Sequence, residues 1–195
     1  MVLSNIEIVS ALKRKDFEIV DLAGLDPSEP PFNTSAVDLR LSDEITIPSG
    51  DHLPAALDLT KPGIAKFWAK HSKTKKIEFD QPHQLVPRKF VIANTLEKVN
   101  FPLFPEGRQC YSARVEGKSS LARCGLLIHF TAPTIHAGYV GPITLEIINF
   151  GVADFLLRPR MYICQLIIEE VRGSPMNAPN QFKGQINPVG EVPPK

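Results

Sequence analysis

The sequence predicts a mostly-β domain, a barrel or a sandwich of short strands, and three observations carry that expectation. From residue 36 the apolar residues recur with period two: Val37, Leu39 and Leu41 alternate with Asp38 and Arg40, and Ile45 and Ile47 repeat the pattern after Ser42-Asp43-Glu44. Similar short runs follow at about 84–95, 109–116, 125–131, 142–149, 153–158 and 161–171. Turn residues part them: Pro105-Glu106-Gly107, Glu116-Gly117, Gly138, Asn149-Phe150-Gly151 and Pro159. Successive side chains of a strand point to opposite faces, so a period of two marks a half-buried strand. Many short strands at even spacing suit a closed or double-layered sheet better than alternating βαβ units.

Helices are expected only at the edges of this pattern. Ser4-Asn5-Ile6-Glu7 has the form of a capping box, and Ile8, Val9, Ala11 and Leu12 continue it as a short amphipathic helix. Residues 23–35 read as a loop. A second short helix fits Ile64–His71, with Pro62 before it and Ile64, Phe67 and Trp68 on one face. Lys70, Lys73, Lys75 and Lys76 read as a solvated helix end or loop. Residues 172–195 carry many Pro and Gly and few large apolar side chains. Such a tail does not fold alone: it is ordered by packing on a ligand or neighbouring subunit, or it stays disordered. The expected organisation is therefore one domain over 1–171 and an arm over 172–195.

Composition removes several function classes. The 195 residues balance 22 Lys and Arg against 21 Asp and Glu, and no basic stripe of the kind a nucleic-acid polymer binder shows is apparent. No apolar run is long enough to span a bilayer, and the first residues lack a signal-peptide layout, so a cytoplasmic protein without a membrane partner is expected. Cys110, Cys124 and Cys164 are too few and too scattered for a disulfide framework and read as small buried hydrophobes. There is no phosphate-loop or dinucleotide fingerprint and no nucleophile elbow. The His-x-Glu and Pro-Cys-x-x-Cys pair of zinc deaminases is also missing. No metal ligands and no zinc are expected.

Two segments carry chemistry. Glu116-Gly117-Lys118-Ser119-Ser120-Leu121-Ala122-Arg123-Cys124-Gly125 holds two cations and two hydroxyls between glycines. Lys118, the Ser119 and Ser120 hydroxyls and outward N–H groups could bind a polyphosphate, or the segment could be a capped turn with surface charges. In Gly141-Pro142-Ile143-Thr144-Leu145-Glu146-Ile147-Ile148-Asn149, Glu146 is bracketed by aliphatic residues. Desolvation raises such a carboxyl unless a cation offsets it, and Arg123 is the candidate cation. A carboxyl poised in this way suits proton abstraction and return; an outward-facing edge-strand Glu is the alternative. Between them, Ile128–Tyr139 runs from a strand into a hairpin with Gly138 near its tip. Tyr139 there either presents its ring to a sugar or base or packs in the core.

Together these pieces resemble the dCTP deaminase family of the dCTP deaminase and dUTPase superfamily. Lys118-Ser119-Ser120-Leu121-Ala122-Arg123 is similar to its basic-Ser-Ser-Leu-Ala-Arg motif. Thr131-Ala132, Ala137-Gly138-Tyr139 and Ile143-Thr144-Leu145-Glu146 follow in its order. Ala36–Leu41, Met161-Tyr162-Ile163-Cys164-Gln165-Leu166 and the tail's Gln181-Phe182-Lys183-Gly184-Gln185 also fit. The resemblance implies a distorted β-barrel, the dUTPase-like β-clip, assembled as a homotrimer with active sites between subunits. It implies dCTP as substrate, with dUTP or dTTP as further ligands, and Mg²⁺ carried on the triphosphate. It makes Glu146 the general base and acid, with Ser119 and the Ala132 carbonyl placing the water and Arg123 holding charge from a neighbouring subunit. Lys118, Ser119 and Ser120 would hold phosphate, Thr144 and Leu145 would read the base, and Gln165, Lys183 and Gln185 would close over the triphosphate. Where this chain has His136, the family usually has Asp, which in the dUTPase branch orients the hydrolytic water and touches the sugar hydroxyl; His136 can still bond a hydroxyl. Phe182 replaces the usual Tyr. The implied activity is deamination of dCTP to dUTP and ammonia; a bifunctional deaminase and diphosphatase, or a nucleotide binder without turnover, are the alternatives.

Overall fold

The structure is a computed structural model and describes residues 1–49, 53–54, 56–60 and 63–177. Pro62, Lys183, Gln185 and most of the expected arm lie outside the described residues. The described chain opens with α1 (Asn5–Arg14), in which the Ser4 hydroxyl accepts from the Glu7 amide at 3.3 Å and Ile8, Val9 and Ala11 are buried. Strands β1 (Glu18–Val20), β2 (Phe32–Asn33) and the long β3 (Ala36–Pro48) follow. Next come α2 (Ile64–Lys70), β4 (Ser72–Lys76), β5 (His83–Leu85), β6 (Phe90–Asn100) and β7 (Cys110–Gly117). The last part holds α3 (Ser119–Ala122), β8 (Leu126–Leu127), β9 (Thr134–Ile135), β10 (Val140–Asn149), β11 (Phe155–Leu157) and β12 (Tyr162–Val171).

One curled sheet runs β8-β10-β6-β3-β12-β7-β9, with β1 added to β6 and β2 and β4 to β3; β5 and β11 form a separate pair. All the pairings are antiparallel. The mostly-β expectation is met, as a half-closed barrel. Strand β3 makes the corner. Its first half pairs with β12, from Val37↔Leu166 to Arg40↔Tyr162, and its second half turns to β6 and β4 after a register shift between Leu41 and Ile45. The concave side buries Leu39, Leu41, Ile45, Ala93, Val115, Leu145, Ile147, Leu166 and Ile168. One end is closed by α1 and by Phe17, whose ring lies 5.4 Å from Phe101 and 5.2 Å from Tyr111.

A buried polar cluster sets the register of β10. Between Pro142 and Thr144 the pairing with β6 slips at a bulge. There the buried Thr95 hydroxyl accepts from the Ile143 amide at 2.9 Å and donates to the Glu97 carbonyl at 2.7 Å. The Glu97 carboxylate, 1% exposed, in turn accepts from the Arg40 amide at 2.7 Å and from Arg40 Nε at 2.6 Å. Every group in this chain has a partner, as a buried polar network requires.

Three local expectations are corrected. In the Lys70–Lys76 region Lys70 ends α2 and the lysines are solvated, as expected, but Ser72–Lys76 is a strand on β3 and not a loop, with a 2.8 Å hydrogen bond between the Thr46 and Thr74 hydroxyls. Its lysines blunt an open sheet edge, which is why the segment shows no apolar alternation. Cys110 and Cys164 are buried, but Cys124 is exposed, because it lies in the turn just past the one-turn helix α3. Gly138 is not the tip of a hairpin. The strands on either side diverge, β9 to β7 and β10 to β6.

Thr95→Val keeps the shape and removes both hydroxyl bonds, leaving the Ile143 amide unpaired. It should destabilise the domain by about 1–3 kcal/mol, read from the midpoint of urea unfolding. An unchanged midpoint would mean that the bulge does not depend on this hydroxyl.

Candidate active site

The two segments singled out in the sequence meet at one end of β10. β7 ends at Gly117, Lys118 precedes the single turn of α3 in an extended conformation, and Gly125, with φ 95°, reverses the chain into β8. β8 pairs with the end of β10, Leu127↔Ile148 and Leu126↔Asn149. The Phe150 amide donates to the Gly125 carbonyl at 2.8 Å, and a Cβ on Gly125 would stand 2.5 Å from the Gly151 nitrogen. Only glycine fits both that approach and that φ. The loop bearing Lys118–Arg123 is thereby held against the strand bearing Glu146.

Glu146 pairs with Ile92 on β6 and is half-buried. Ile148 and Thr144 share its face of β10, and across β6 the same face carries Phe90, Ile92 and Asn94. The Phe90 ring packs 5.7 Å from that of Phe130. Desolvation in this apolar setting raises the Glu146 carboxyl above its ordinary range; the Phe130 main-chain amide and the positive charge of His129 oppose the rise. Arg123 is not among the groups that act on the Glu146 carboxyl within the chain. Arg123 is exposed at the outer end of α3 and forms no ion pair with Glu146 among the described residues. The Thr144 hydroxyl donates to Asn94 Oδ1 at 3.2 Å, and the Leu145 side chain points into the core, leaving only its main chain to this surface.

A second polar group stands across β7, β12 and β3. The register places Asp38, Gln165 and Glu116 side by side. Lys118 Nζ donates to the Asp38 carboxylate, which also accepts from Asn33 Nδ2 at 3.0 Å. The Lys118 ammonium lies 5.9 Å from the Tyr162 ring centre, and Gln165 Nε2 donates to the Gly117 carbonyl at 3.4 Å. Lys118 and Gln165 are thus neighbours, with the exposed Ser119 and Ser120 hydroxyls beyond them. Asp38 and Tyr162, quoted in the sequence only as parts of strands, belong to this group; their side-by-side placement needs the strand pairing to become visible.

Ala132 and His136 are exposed on the segment that follows. Tyr139 is buried: its hydroxyl donates to the Pro142 carbonyl, and burial pushes its pKa up to about 12. Within one chain Tyr139 and Glu146 stand seven strand residues apart, about 20 Å. The structure brings Lys118 and Gln165 together at the end of β7, with Ser119 and Ser120 next in the chain, sets Glu146 apart on β10 opposite Ile92, and leaves His136 and Tyr139 before the start of β10. Among the described residues no three His, Cys, Asp or Glu side chains converge in a way that would hold a metal ion, and no helix is long and apolar enough to cross a membrane.

Comparison with known proteins identifies the family. Residues 2–171 match the family model described as dCTP deaminase-like. The chain is 33% identical over 177 residues to a protein of Methanosphaera stadtmanae named dCTP deaminase, dUMP-forming, with 84% of this chain and 82% of that one covered. It is 32% identical to a protein of Halorubrum lacusprofundi named dCTP deaminase, with 92% and 81% covered. The crystal structure of 2'-deoxycytidine 5'-triphosphate deaminase from Agrobacterium tumefaciens superposes with a TM-score of 0.61 at 19% identity, over 87% of this chain. This chain spans 47% of the length of that one, and at this identity the likeness speaks for the fold. With a family match that spans the entire curled sheet, the chain belongs to the dCTP deaminase-like family.

Proposed function

We propose that this protein converts dCTP and water to dUTP and ammonia, with Glu146 as the group that moves the protons. The observation that carries the reading is the Glu146 carboxyl: half-buried, flanked by Ile92, Phe90 and Ile148, raised by desolvation, and held beside a cationic, hydroxyl-bearing turn. Glu146 takes a proton from water as the oxygen attacks C4 of the cytosine. The carboxylic acid gives that proton to N3; the carboxylate then takes the proton of the new C4 hydroxyl and passes it to the amine, so the C4–N bond breaks, ammonia leaves and the ring carbonyl remains. Ser119 and the Ala132 carbonyl place the water. Lys118, Ser119 and Ser120 take phosphate oxygens; Lys118 exchanges part of its bond to Asp38 for them, and Gln165 borders the same space. Thr144 and the Leu145 main chain read the base. Lys183 and Gln185 are assigned to the closing arm from the sequence. Mg²⁺ is carried by the triphosphate oxygens; its charge neutralises phosphate and takes no part in the proton transfers.

We also infer a homotrimer with shared sites. A base held at Glu146 lies about 20 Å along the strand from Tyr139 of the same chain, beyond the reach of its ring. In this reading Arg123, exposed and without an ion pair to Glu146 in its own chain, serves a neighbour's substrate. A second reading, hydrolysis onward to dUMP and pyrophosphate, is favoured by the dUMP-forming name of the Methanosphaera stadtmanae relative. His136 is the residue that bears on it, since imidazole is a poorer activator of water at phosphate than the carboxylate the family usually has there.

Incubation of the protein with dCTP or dUTP, with ammonia and pyrophosphate assayed separately, decides between the two readings. Ammonia without pyrophosphate is expected from dCTP; equal release of both would establish the second reading, and neither product would end both. His136→Asp should raise pyrophosphate release from dUTP, and an unaltered yield would remove His136 from the account. Glu146→Gln should lower ammonia release by about 10²–10⁴-fold while dCTP binding persists. Because burial raises the Glu146 carboxyl in the folded state, its ionised form weakens the fold as pH rises through that range. Glu146→Gln should therefore keep or increase the melting temperature at pH 8, and a lower one would point to a structural role. The acid limb of kcat/KM should lie above the ordinary carboxylate range.

A further inference from the structure

Strand β12 changes face where its register slips. Its pairing with β3 is irregular between Tyr162 and Cys164, and the consecutive residues Ile163 and Cys164 are both fully buried. Strict alternation would put Tyr162 and Gln165 on opposite faces. The bulge puts them on one: Tyr162 stands opposite Arg40 and Gln165 opposite Asp38, and Arg40 and Asp38 share a face of β3. Lys118 reaches across β12 to the Asp38 carboxylate. On the way its ammonium lies 5.9 Å from the Tyr162 ring centre, inside the range of about 6 Å over which a ring attracts a cation. Tyr162 is half-buried, and its hydroxyl is open to solvent and makes no hydrogen bond among the described residues. The charges around it are accounted for. Arg40 is held by Glu97 and by the Asp21 carbonyl, and Asp38 accepts from both Lys118 and Asn33. Glu116, beside Gln165, lies 3.9 Å from Arg114 and 3.7 Å from His129. The space between Tyr162, Lys118 and Gln165 is therefore bordered by donors, with Asp38 as the one carboxylate drawn into it.

We propose that Tyr162 is a phosphate-binding residue of this site. Its hydroxyl donates to an oxygen of the triphosphate, a charge-assisted bond, since the acceptor is anionic. Its ring backs the Lys118 ammonium and keeps that long side chain over β12 while the ligand takes a share of the bond to Asp38. A lysine is a flexible point charge, so a ring face beside it limits where the charge can go. The phenol adds a donor without adding charge, and its rigid ring loses little freedom when the hydroxyl is engaged. The inference rests on the reading of Lys118 as a phosphate ligand and adds a residue to it; the proton transfers at Glu146 do not enter.

Calorimetric titration of the full-length protein tests it without turnover. Two ligands are used with Mg²⁺ present: inorganic tripolyphosphate, and dCTP in a Glu146→Gln background so that it is not consumed. Tyr162→Phe removes the hydroxyl and keeps the ring. It should raise the Kd of both ligands about tenfold, the scale of one hydrogen bond to a charged group. Tyr162→Leu removes the ring as well and should weaken both further; should it not fold, Tyr162→Phe decides alone. In turnover of dCTP, Tyr162→Phe should raise KM by a similar factor while kcat holds. An unchanged Kd for both ligands in Tyr162→Phe overturns the proposal. So does a fall in kcat with KM unmoved, the mark of a merely structural role. Ammonia release by a parent whose phosphate binding ignores Tyr162 would sink Tyr162 and leave the deaminase reading standing. Tripolyphosphate binding that depends on Tyr162, in a protein that releases no ammonia, would uphold Tyr162 and sink the deaminase reading instead.

Discussion

The direction in which Glu146 points depends on the hydrogen bond between the Thr95 hydroxyl and the Ile143 amide. Side chains alternate strictly along a strand, so a slip of one residue would exchange the two faces of β10. Glu146 would then turn into the core, and Leu145 and Ile147 would turn out. The bulge at Ile143 is where such a slip could occur, and it is the place where Thr95 supplies an acceptor at 2.9 Å. With that register locked, Ile143, Leu145 and Ile147 fill the core. The carboxyl is left on the outer face, flanked by aliphatic and aromatic side chains. Its raised proton affinity follows from where the core must lie.

The two polar groups near the end of β10 are built on different principles. Lys118, just past β7, and Asp38, on β3, pair with each other across β12, in a setting open enough for a ligand oxygen to compete. Around Glu116, Arg114 and His129 the contacts are longer and two nitrogens remain unpaired behind closed surface. The first arrangement suits exchange of one anion for another. The second suits a fixed field, because buried side chains that hold one another have little freedom to leave.

Much of the architecture was legible because half-buried strands write period two directly into the chain. β3, β6, β7, β10 and β12 all lie where that alternation is clean. β1, β4 and β9 escaped it for separate reasons: β1 and β9 are only three and two residues long, and β4 has no buried face to mark. The site divided along the same line. Lys118, Ser119, Ser120, Arg123 and Glu146 stand in contiguous motifs that a linear reading can find. His129, Glu116 and Asp38 acquire meaning only through partners 17, 13 and 80 residues distant, measured to Glu146, His129 and Lys118. Arg123 is the candidate cation for Glu146 in a linear reading; the reversal at Gly125 sends the chain back along β10 and leaves Arg123 exposed on the turn, with no ion pair to Glu146 among the described residues.

The contact of Gly125 with Gly151 has a wider meaning for how such a site can vary. Two main chains touch there with no side chain between them, so their spacing is at its physical minimum. Elsewhere in the loop, substitution can change charge, hydroxyl content or bulk without altering the lever arm between the phosphate-facing turn and the proton-handling strand. The chemistry carried on this frame is free to drift, while the frame itself can only be kept or lost.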